Sequence, residues 1–240
     1  MSGGIVGIVP VRSLTGGKTR LAAALSPEIR AALTRRMLGG VLDALVEADV
    51  CETVAVVSPD LEALALVAAR PDGILPLPQD VALPGLLPAL EAGRDWALAR
   101  GAGALLVLFG DLPLVTAEDV RNVVRRAAPV VIAPDRHGKG TNGLLLRQGI
   151  GGPTEAERFV FQFGADSYVR HVAEAHRLGL EVVPSLTPGT AFDLDTVDDW
   201  LAFTDRRVAL DGGLLPAGPP RGLQAGNTLA WTHDFAVEAE

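Results

Sequence analysis

Short, continuously apolar runs separated by amphipathic stretches are the feature that most constrains this fold. Such runs are typical of strands that are buried on both faces of a parallel sheet. Strands that alternate with helices imply right-handed crossovers, which place helices on both faces of the sheet. We therefore predict an α/β fold whose main strands lie at residues 5–9, 53–57, 105–109 and 130–133.

The stretches between these runs predict helices with recognisable ends. Ser26 is a favourable N-cap, and Pro27 fits the first helical position. Thr116 and Asp119 have the spacing of a capping box, which opens a helix that ends near residue 127. Further helices are predicted at residues 61–69, 86–98, 166–178 and 196–203, and shorter antiparallel strands at 143–147 and 181–184.

Chain length sets the domain organisation. The 240 residues are enough for one large domain with a substantial core. We predict a single domain over residues 1–205 with a mixed, mostly parallel sheet, and a Gly- and Pro-rich tail over 206–240. Such a tail would lie on the surface or reach a neighbouring subunit, and the second arrangement implies a homodimer.

Charge and hydropathy exclude several classes of protein. The formal net charge of −8 leaves no global positive field to attract nucleic acid. The single cysteine, Cys51, has no internal disulfide partner, so a reducing compartment is the simplest interpretation. No apolar run approaches the roughly 18 residues of a membrane helix, and no basic segment precedes the first apolar run. We expect a cytoplasmic protein without membrane or nucleic-acid partners.

The most distinctive polar segment lies between two predicted strands, at residues 134–143. It reads Pro-Asp-Arg-His-Gly-Lys-Gly-Thr-Asn-Gly. Its glycines allow the backbone to approach a ligand closely, and Arg136, His137 and Lys139 would attract anions. A polar hairpin connection without a ligand is an equally good interpretation from composition alone.

Charged residues also follow other predicted strands, at the sheet end where open α/β folds bind ligands. Asp111 comes directly after one strand and is a candidate ligand for a hard cation such as Mg²⁺. Asp193 and Asp195 are two positions apart, so in an extended segment both would point to one site. The loop after the first strand contains Lys18 and Arg20 and is suited to holding nucleotide phosphates.

Other polar residues receive ordinary structural interpretations. His171 and His176 lie on one predicted helix without metal-ligand spacing, and we interpret both as helix residues. Asp198 and Asp199 fall in the first turn of the last predicted helix, where the helix dipole explains them. No serine lies in a nucleophile elbow, so a catalytic triad is not predicted.

These segments together resemble one family, the 2-phospho-L-lactate / phosphoenolpyruvate guanylyltransferases of deazaflavin coenzyme F-420 biosynthesis. The specific part is the run from Asp-Arg-His-Gly to Gly-Thr-Asn at 135–142, whereas the aspartates are shared with many nucleotidyltransferases. The resemblance covers residues 5–204 and includes Val-Pro-Val-Arg at 9–12, Lys-Thr-Arg-Leu at 18–21, Val-Ser-Pro-Asp at 57–60, Gly-Asp-Leu-Pro-Leu at 110–114, Phe-Gly at 163–164 with Ser167, and Asp-Leu-Asp-Thr at 193–196.

The resemblance implies a single-domain nucleotidyltransferase fold of the GT-A type. It implies transfer of GMP from GTP to a phosphorylated three-carbon acid, phosphoenolpyruvate or 2-phospho-L-lactate, with release of pyrophosphate. The implied catalytic residues are Lys18, Asp111 and Asp193, and the implied Mg²⁺ ligands are Asp111, Asp193 and Asp195. The implied contacts to the phospho-acid are Thr141, Asn142, Gly164 and Ser167, and those to the nucleotide are Pro10, Val11, Lys18, Arg20 and Ser58.

One departure and several alternatives stay open. The family often carries a Leu-Asn pair near residue 86 that faces the nucleotide, whereas this chain reads Gly-Leu-Leu-Pro at 85–88. The recognition of guanine is therefore open, as is the choice among phosphoenolpyruvate, 2-phospholactate and 3-phosphoglycerate. The alternative functions are a nucleotidyltransferase of the same fold with another acceptor, a metal-dependent glycosyltransferase and a non-catalytic GTP sensor.

Overall fold

The computed structural model describes residues 3–147, 149–151 and 157–210. The strands are β1 Ile5–Pro10, β2 Thr53–Ser58, β3 Leu75–Pro78, β4 Ala104–Leu108, β5 Val130–Pro134, β6 Thr141–Leu146 and β7 Val182–Pro184. The helices are α1 Pro27–Ala48, α2 Leu61–Ala68, α3 Leu86–Ala99, α4 Ala117–Arg125, α5 Ser167–Arg177, α6 Pro188–Ala191 and α7 Val197–Leu210. The strands form one seven-stranded sheet in the order β3-β2-β1-β4-β6-β5-β7.

The strand pairing confirms the predicted mixed, mostly parallel α/β sheet. β1 pairs in parallel with β2 and β4, and β2 pairs in parallel with β3. β6 runs antiparallel to β4 and β5, as predicted. The prediction that β7 is also antiparallel was wrong, because the chain crosses over through α5 and returns parallel to β5.

Two short elements were not predicted from the sequence. β3 reads Leu-Pro-Leu-Pro, and its two prolines argue against a central strand. They are tolerated because β3 lies at one edge of the sheet, where a missing N–H leaves no neighbouring strand unpaired. α6 has four residues, too few for a periodic pattern, and begins where the Thr187 side chain accepts a hydrogen bond from the Thr190 N–H.

Apolar layers cover both faces of the sheet. On one face α1, α2 and α4 pack on the strands through residues such as Leu42, Val67 and Val120. On the other face α3 and α5 pack together with Phe159 and Phe161. Both predicted helix caps are confirmed: Ser26 accepts from the backbone at the start of α1, and the Thr116–Asp119 capping box opens α4.

A third apolar cluster joins the loop after β1 to the segment before α7. Leu21, Phe192 and Leu194 are buried in it, against the first half of α1. Leu21 lies three residues after Lys18, and Leu194 lies immediately before Asp195. Burial of these neighbours in one cluster therefore fixes Lys18 and Asp195 relative to each other.

The last helix is longer than predicted from the sequence. α7 continues to Leu210, beyond both the predicted helix end at 203 and the predicted domain boundary at 205. The rest of the proposed tail, residues 211–240, lies outside the described residues, as does its predicted contact with a neighbouring subunit. Within the described ranges, no helix is both long and apolar enough to cross a membrane.

Candidate active site

The site lies where the order of the strands reverses. The chain leaves β1 through α1 and returns as β2 on one side, whereas β4 lies on the other side of β1 and is followed by elements further along that side. The loops after β1 and β4 therefore diverge and leave a crevice at the carboxyl ends of the strands, where open α/β sheets bind ligands. Lys18 and Asp111 lie in these two loops.

Lys18 contacts both acidic segments at this crevice. Its ammonium nitrogen Nζ lies 2.8 Å from Asp111 Oδ2 and 2.6 Å from Asp195 Oδ1. The Lys18 side chain is 9% exposed, and this burial alone would lower its pKa. Attraction by the two carboxylates, and the hydrogen bonds to them, outweigh the burial and raise the pKa. Lys18 is therefore a fixed positive charge.

Asp193 is the third carboxylate of the site. Burial raises its pKa, and the charges of Asp111 and Asp195 raise it further. The amide nitrogen of Asn142 lies 3.5 Å from Asp193 Oδ1, at the limit of a hydrogen bond. Three carboxylates beside one ammonium leave an excess of negative charge, which an additional cation would relieve.

The donor chemistry of these carboxylates fits a divalent metal ion. Hard carboxylate oxygens are the ligands that Mg²⁺ prefers. In the part of the chain that the structure describes, no three side chains of His, Cys, Asp or Glu converge into a ready-made metal site. The ammonium of Lys18 bridges Asp111 and Asp195 instead. The roles of Asp111, Asp193 and Asp195 as metal ligands stay predictions.

The loop that carries Lys18 is held from two directions. Lys18 itself has φ 55° and ψ 37°, a left-handed conformation uncommon for a non-glycine residue, and it precedes the 3₁₀ turn Thr19–Leu21. Asp60 fixes the other end, because its Oδ2 accepts from the Leu14 N–H at 2.8 Å while its Oδ1 caps α2. Asp60 was not a predicted site residue, although it ends the Val-Ser-Pro-Asp segment at 57–60 that resembles the family.

The distinctive polar segment forms the hairpin between β5 and β6. Its loop is shorter than predicted, because Pro134 ends β5 and Thr141 begins β6. The pairing register shifts here: Ala133 pairs with Gly143 and Pro134 with Thr141, which leaves Asn142 as an extra residue. Bulges of this kind occur next to active sites, where they re-aim side chains.

Thr141 and Asn142 consequently make different contacts. The Asn142 side chain donates to the Thr190 carbonyl at 3.0 Å and lies beside Asp193. The Thr141 hydroxyl oxygen lies 3.0 Å from Nδ1 of His171 on α5. Asn142 therefore belongs to the acidic side of the site, and Thr141 to the side formed by α5.

Arg136 joins the hairpin to the acidic segment. Its guanidinium pairs with Asp199 and stacks over the Phe192 ring, 4.7 Å from the ring centroid. Asp199 in turn accepts from the N–H groups of Asp195 and Thr196 at 2.9 and 2.7 Å. The prediction that Arg136 attracts anions gives way to a positioning role, and Asp199 does more than complement the helix dipole.

Two of the residues predicted to hold the phospho-acid, Gly164 and Ser167, lie at the start of α5. Gly164 has φ 122° and Asp166 has φ 51°, so the backbone turns sharply before Ser167 begins the helix. The Asp166 side chain makes no capping hydrogen bond to the helix. The Tyr168 N–H donates to the Lys139 carbonyl at 2.9 Å, which ties α5 to the hairpin loop. A helix N-terminus of this kind favours anions.

Buried side chains hold the segment that precedes Gly164. Arg94 of α3 donates from Nη1 to the Phe159 carbonyl at 2.6 Å. Glu174 of α5 accepts from the Val160 N–H at 2.8 Å. Sequence reasoning missed both residues, because each lies on a helix whose pattern gives no sign of its partner.

The remaining predicted nucleotide residues lie at the ends of β1 and β2 and in the loop after β1. Pro10 and Val11 follow one another at the end of β1, and the Val11 N–H donates to the Val57 carbonyl at 2.9 Å. Arg20 is exposed. Ser58 is completely buried, and its hydroxyl accepts from the Asp60 N–H at 3.0 Å. The contacts of these residues with a nucleotide stay predictions.

The start of α3 takes the place of the family's Leu-Asn pair. Gly85 precedes the helix with φ 113°, and the Gln79 side chain donates to the Leu83 and Gly85 carbonyls at 2.8 and 2.9 Å. Leu86 and Leu87 are 37% and 40% exposed. The helix therefore presents apolar rather than amide side chains at this end.

Comparison with known proteins places the chain in one family. The family model described as "Guanylyl transferase CofC like" matches residues 5–203. A phosphoenolpyruvate guanylyltransferase of Sphaerobacter thermophilus is 41% identical to this chain over 197 residues, which are 81% of this chain and 89% of that protein. A phosphoenolpyruvate guanylyltransferase of Rubrobacter xylanophilus is 43% identical over 198 residues, or 81% of this chain and 91% of that protein.

A solved structure shares the whole fold. It comes from Desulfovibrio desulfuricans G20 and has been proposed to be a nucleotide-diphospho-sugar transferase. The match covers 96% of this chain and 96% of that chain, with a TM-score of 0.67 at 19% identity. At this identity the similarity establishes the fold alone, and it agrees with the single-domain nucleotidyltransferase fold predicted from the sequence.

Proposed function

The chain belongs to the CofC-like guanylyl transferase family, and from this we propose that it transfers GMP from GTP to phosphoenolpyruvate with release of pyrophosphate. The observation that carries the proposal is the bridge that Lys18 forms between Asp111 and Asp195. It brings a fixed cation and carboxylates together in the crevice where this fold binds ligands. In the family this reaction belongs to deazaflavin coenzyme F-420 biosynthesis. We also propose a cytoplasmic location, which the unpaired Cys51 supports.

The acceptor needs no general base. The second pKa of a phosphate monoester is about 6, so its phosphate is largely dianionic at neutral pH. One phosphate oxygen forms a bond to the α-phosphorus of GTP, and the bond from that phosphorus to the oxygen shared with the β-phosphate breaks. Pyrophosphate leaves with the electron pair. Lys18 would offset the charge that develops on it, so that positioning and charge neutralisation supply the catalysis.

Mg²⁺ is the divalent ion that we propose for the site. Asp111 and Asp193 would hold it, with Asp195 in a supporting position, and the raised pKa of Asp193 supports a demand for positive charge there. When bound, the ion would neutralise triphosphate charge and polarise the reacting phosphorus. The Asp195 carboxylate and Lys18 are in contact, so charge at the metal site and charge at the leaving group are coupled.

The acceptor would lie between the hairpin and the start of α5. Thr141, Gly164 and Ser167 would surround this position, where they would offer hydroxyl and backbone N–H donors to anionic oxygens; the contact of Thr141 with α5 and the turn at Gly164 support this. Asn142 connects the acceptor side to Asp193. We choose phosphoenolpyruvate because both relatives described above act on it by name.

A pyrophosphate-release assay tests the proposal directly. The purified full chain is incubated with Mg²⁺ and GTP together with phosphoenolpyruvate, 2-phospho-L-lactate or 3-phosphoglycerate, and ATP, CTP and UTP replace GTP in parallel reactions. We expect the highest kcat/KM with GTP and phosphoenolpyruvate. Preference for another acid would overturn the acceptor assignment, and preference for another nucleotide would overturn guanylyl transfer. Tight GTP binding without pyrophosphate release would identify a sensor instead.

A further inference from the structure

His171 is a buried titratable residue that the proposed reaction does not use. It has no exposed surface, and its ring lies 4.5 Å from the Phe163 ring and 5.7 Å from the Phe159 ring, between centroids. Ser167 is four residues earlier on α5, so both side chains lie on the same face of the helix. That face meets Thr141. The histidine first interpreted as an ordinary helix residue therefore lies directly behind the acceptor position.

The hydrogen bonds of His171 determine which ring nitrogen carries the proton. The Gln162 N–H donates to Nε2 at 2.9 Å, and a nitrogen that accepts such a bond has no proton of its own. In a neutral imidazole the proton must then lie on Nδ1. Nδ1 is 3.0 Å from the Thr141 hydroxyl oxygen, so the ring donates and the threonine oxygen accepts.

The ring is neutral under the conditions in which the reaction would run. Burial lowers the pKa of His171 to about 4, and the charge of Arg170 lowers it further, while Glu174 opposes the shift. A neutral ring has one proton to give, and the geometry places it on Nδ1. His171 is therefore unsuited to exchanging protons with substrate at neutral pH.

This arrangement leaves the Thr141 hydroxyl free to donate one hydrogen bond. A hydroxyl has a single proton, and its oxygen already accepts from His171. Its O–H must therefore donate to something other than the ring. Carboxylate and phosphate oxygens accept hydrogen bonds and do not donate them, so a site for a phospho-acid needs donors. Thr141 is adjacent to the bulge that separates the α5 side of the site from its acidic side.

We propose that His171 is a positioning residue, which holds the Thr141 hydroxyl as a committed donor to an anionic oxygen of the acceptor. The inference rests on the proposed function, because it assigns a binding role to that same site. Without the Nδ1–H donor, the Thr141 hydroxyl would lose its fixed orientation. The acceptor would then be bound less tightly, while the binding of GTP would not change.

Kinetics of matched variants test this role. Thr141→Val removes the hydroxyl at nearly constant shape, Thr141→Ser keeps it, and His171→Gln removes the Nδ1–H donor. We expect Thr141→Val and His171→Gln each to raise the KM for phosphoenolpyruvate by about tenfold, with the KM for GTP unchanged. Thr141→Ser keeps a hydroxyl and should therefore raise the KM for phosphoenolpyruvate less than Thr141→Val does. The exposed His176, on the same helix, provides the control His176→Gln.

The double variant separates positioning from packing. If His171 acts through the Thr141 hydroxyl, then Thr141→Val with His171→Gln should raise the KM for phosphoenolpyruvate no more than Thr141→Val alone. Effects that multiply would overturn the proposal, as would an unchanged KM in His171→Gln. Thermal unfolding of each variant identifies a general loss of structure, which would raise both KM values together.

The protonation state of the ring gives a readout that is independent of activity. Nitrogen–proton correlation spectra of the wild-type histidines should show His171 as the Nδ1–H tautomer, with unchanged shifts between about pH 6 and pH 8. An Nε2–H tautomer would overturn the proposal. If wild type released no pyrophosphate with any acid, the proposed function would fail, while the tautomer would still confirm or refute the geometry.

Discussion

Lys18 Nζ and Asp195 Oδ1 lie 2.6 Å apart, although the two residues are 177 positions apart in the chain. The contact exists because Leu21 and Leu194, their near neighbours in sequence, are buried in the same apolar cluster. Hydrophobic burial thus brings together two charged groups whose own attraction would be weak in water. The candidate active site is therefore positioned by apolar residues that carry no reactive group.

Replacing Asp111 by Asn should abolish turnover and leave folding intact. The substitution keeps the shape of the side chain but removes a charge from the proposed metal site, and Lys18 keeps Asp195 as a partner. We expect kcat/KM to fall by about a thousandfold or more. Urea unfolding should change by about 1 kcal/mol or less, because the side chain is 30% exposed. The matched control is Asp198→Asn, on the exposed side of α7, which should stay active. An active Asp111→Asn enzyme would refute the assignment of Asp111 as a metal ligand.

Replacing Lys18 by Met should make the protein depend on divalent cations for stability. The substitution keeps most of the apolar stem but leaves Asp111, Asp193 and Asp195 without the ammonium. Without metal, we expect the Tm of the variant to lie several degrees below that of wild type. Addition of Mg²⁺ should raise the Tm of the variant more than it raises the Tm of wild type. Wild type treated with EDTA should lose activity but keep its Tm. The control variant Lys139→Met removes an exposed charge, and Mg²⁺ should change its Tm as little as that of wild type. If Mg²⁺ changed the Tm of Lys18→Met equally little, the proposed excess of negative charge would be contradicted.

Local patterns were sufficient to predict the parts of the site that follow directly from a strand. Asp111 lies after a buried apolar run, and Lys18 lies in the loop after another, so the sheet topology alone brings them to one edge. The fold was predictable for the same reason, with three exceptions: two prolines obscure the edge strand β3, α6 is too short for a periodic pattern, and β7 runs parallel rather than antiparallel.

Contacts that depend on a register shift were not predictable. Thr141 meets His171, and Asn142 meets Thr190, because one extra residue in β6 re-aims their side chains. No property of the sequence around residue 142 specifies that shift. Arg136 similarly has the sequence context of an anion-binding residue, whereas in the structure it pairs with Asp199, 63 positions away.

Acidification should destabilise the protein through His171. Its pKa is about 4 in the folded state and near 6.5 when unfolded, so the unfolded chain binds a proton that the folded chain does not. Stability from this group is complete above the unfolded pKa and falls as the pH decreases towards the folded pKa. We expect a loss of about 2 kcal/mol between about pH 7 and pH 5, measured by urea unfolding.

The His171→Gln variant isolates this contribution. The raised pKa of Asp193 works in the opposite sense, and it is present in both proteins, so it cancels in the difference between them. The variant should therefore show a shallower decrease in stability over the same pH range. Parallel pH profiles for wild type and variant would show that the pKa of His171 is the same in the folded and unfolded protein, against the burial argument.

Replacing Gly164 by Ala should weaken acceptor binding through the backbone alone. A Cβ at this position would meet nothing within 4 Å, so no steric clash arises, but φ is 122°, which a residue with a side chain rarely adopts. Relief of that strain would move the N–H groups at the start of α5 and raise the KM for phosphoenolpyruvate, by about tenfold if about 1.4 kcal/mol of binding energy is lost.

Gly73→Ala is the control, since Gly73 has φ 79°, equally open surroundings and a place in the loop before β3. Both variants should lose about 1 kcal/mol of stability, but only Gly164→Ala should change the KM. Equal KM values for phosphoenolpyruvate in the two variants would contradict the prediction, because they would show that the backbone turn at Gly164 does not contribute to acceptor binding.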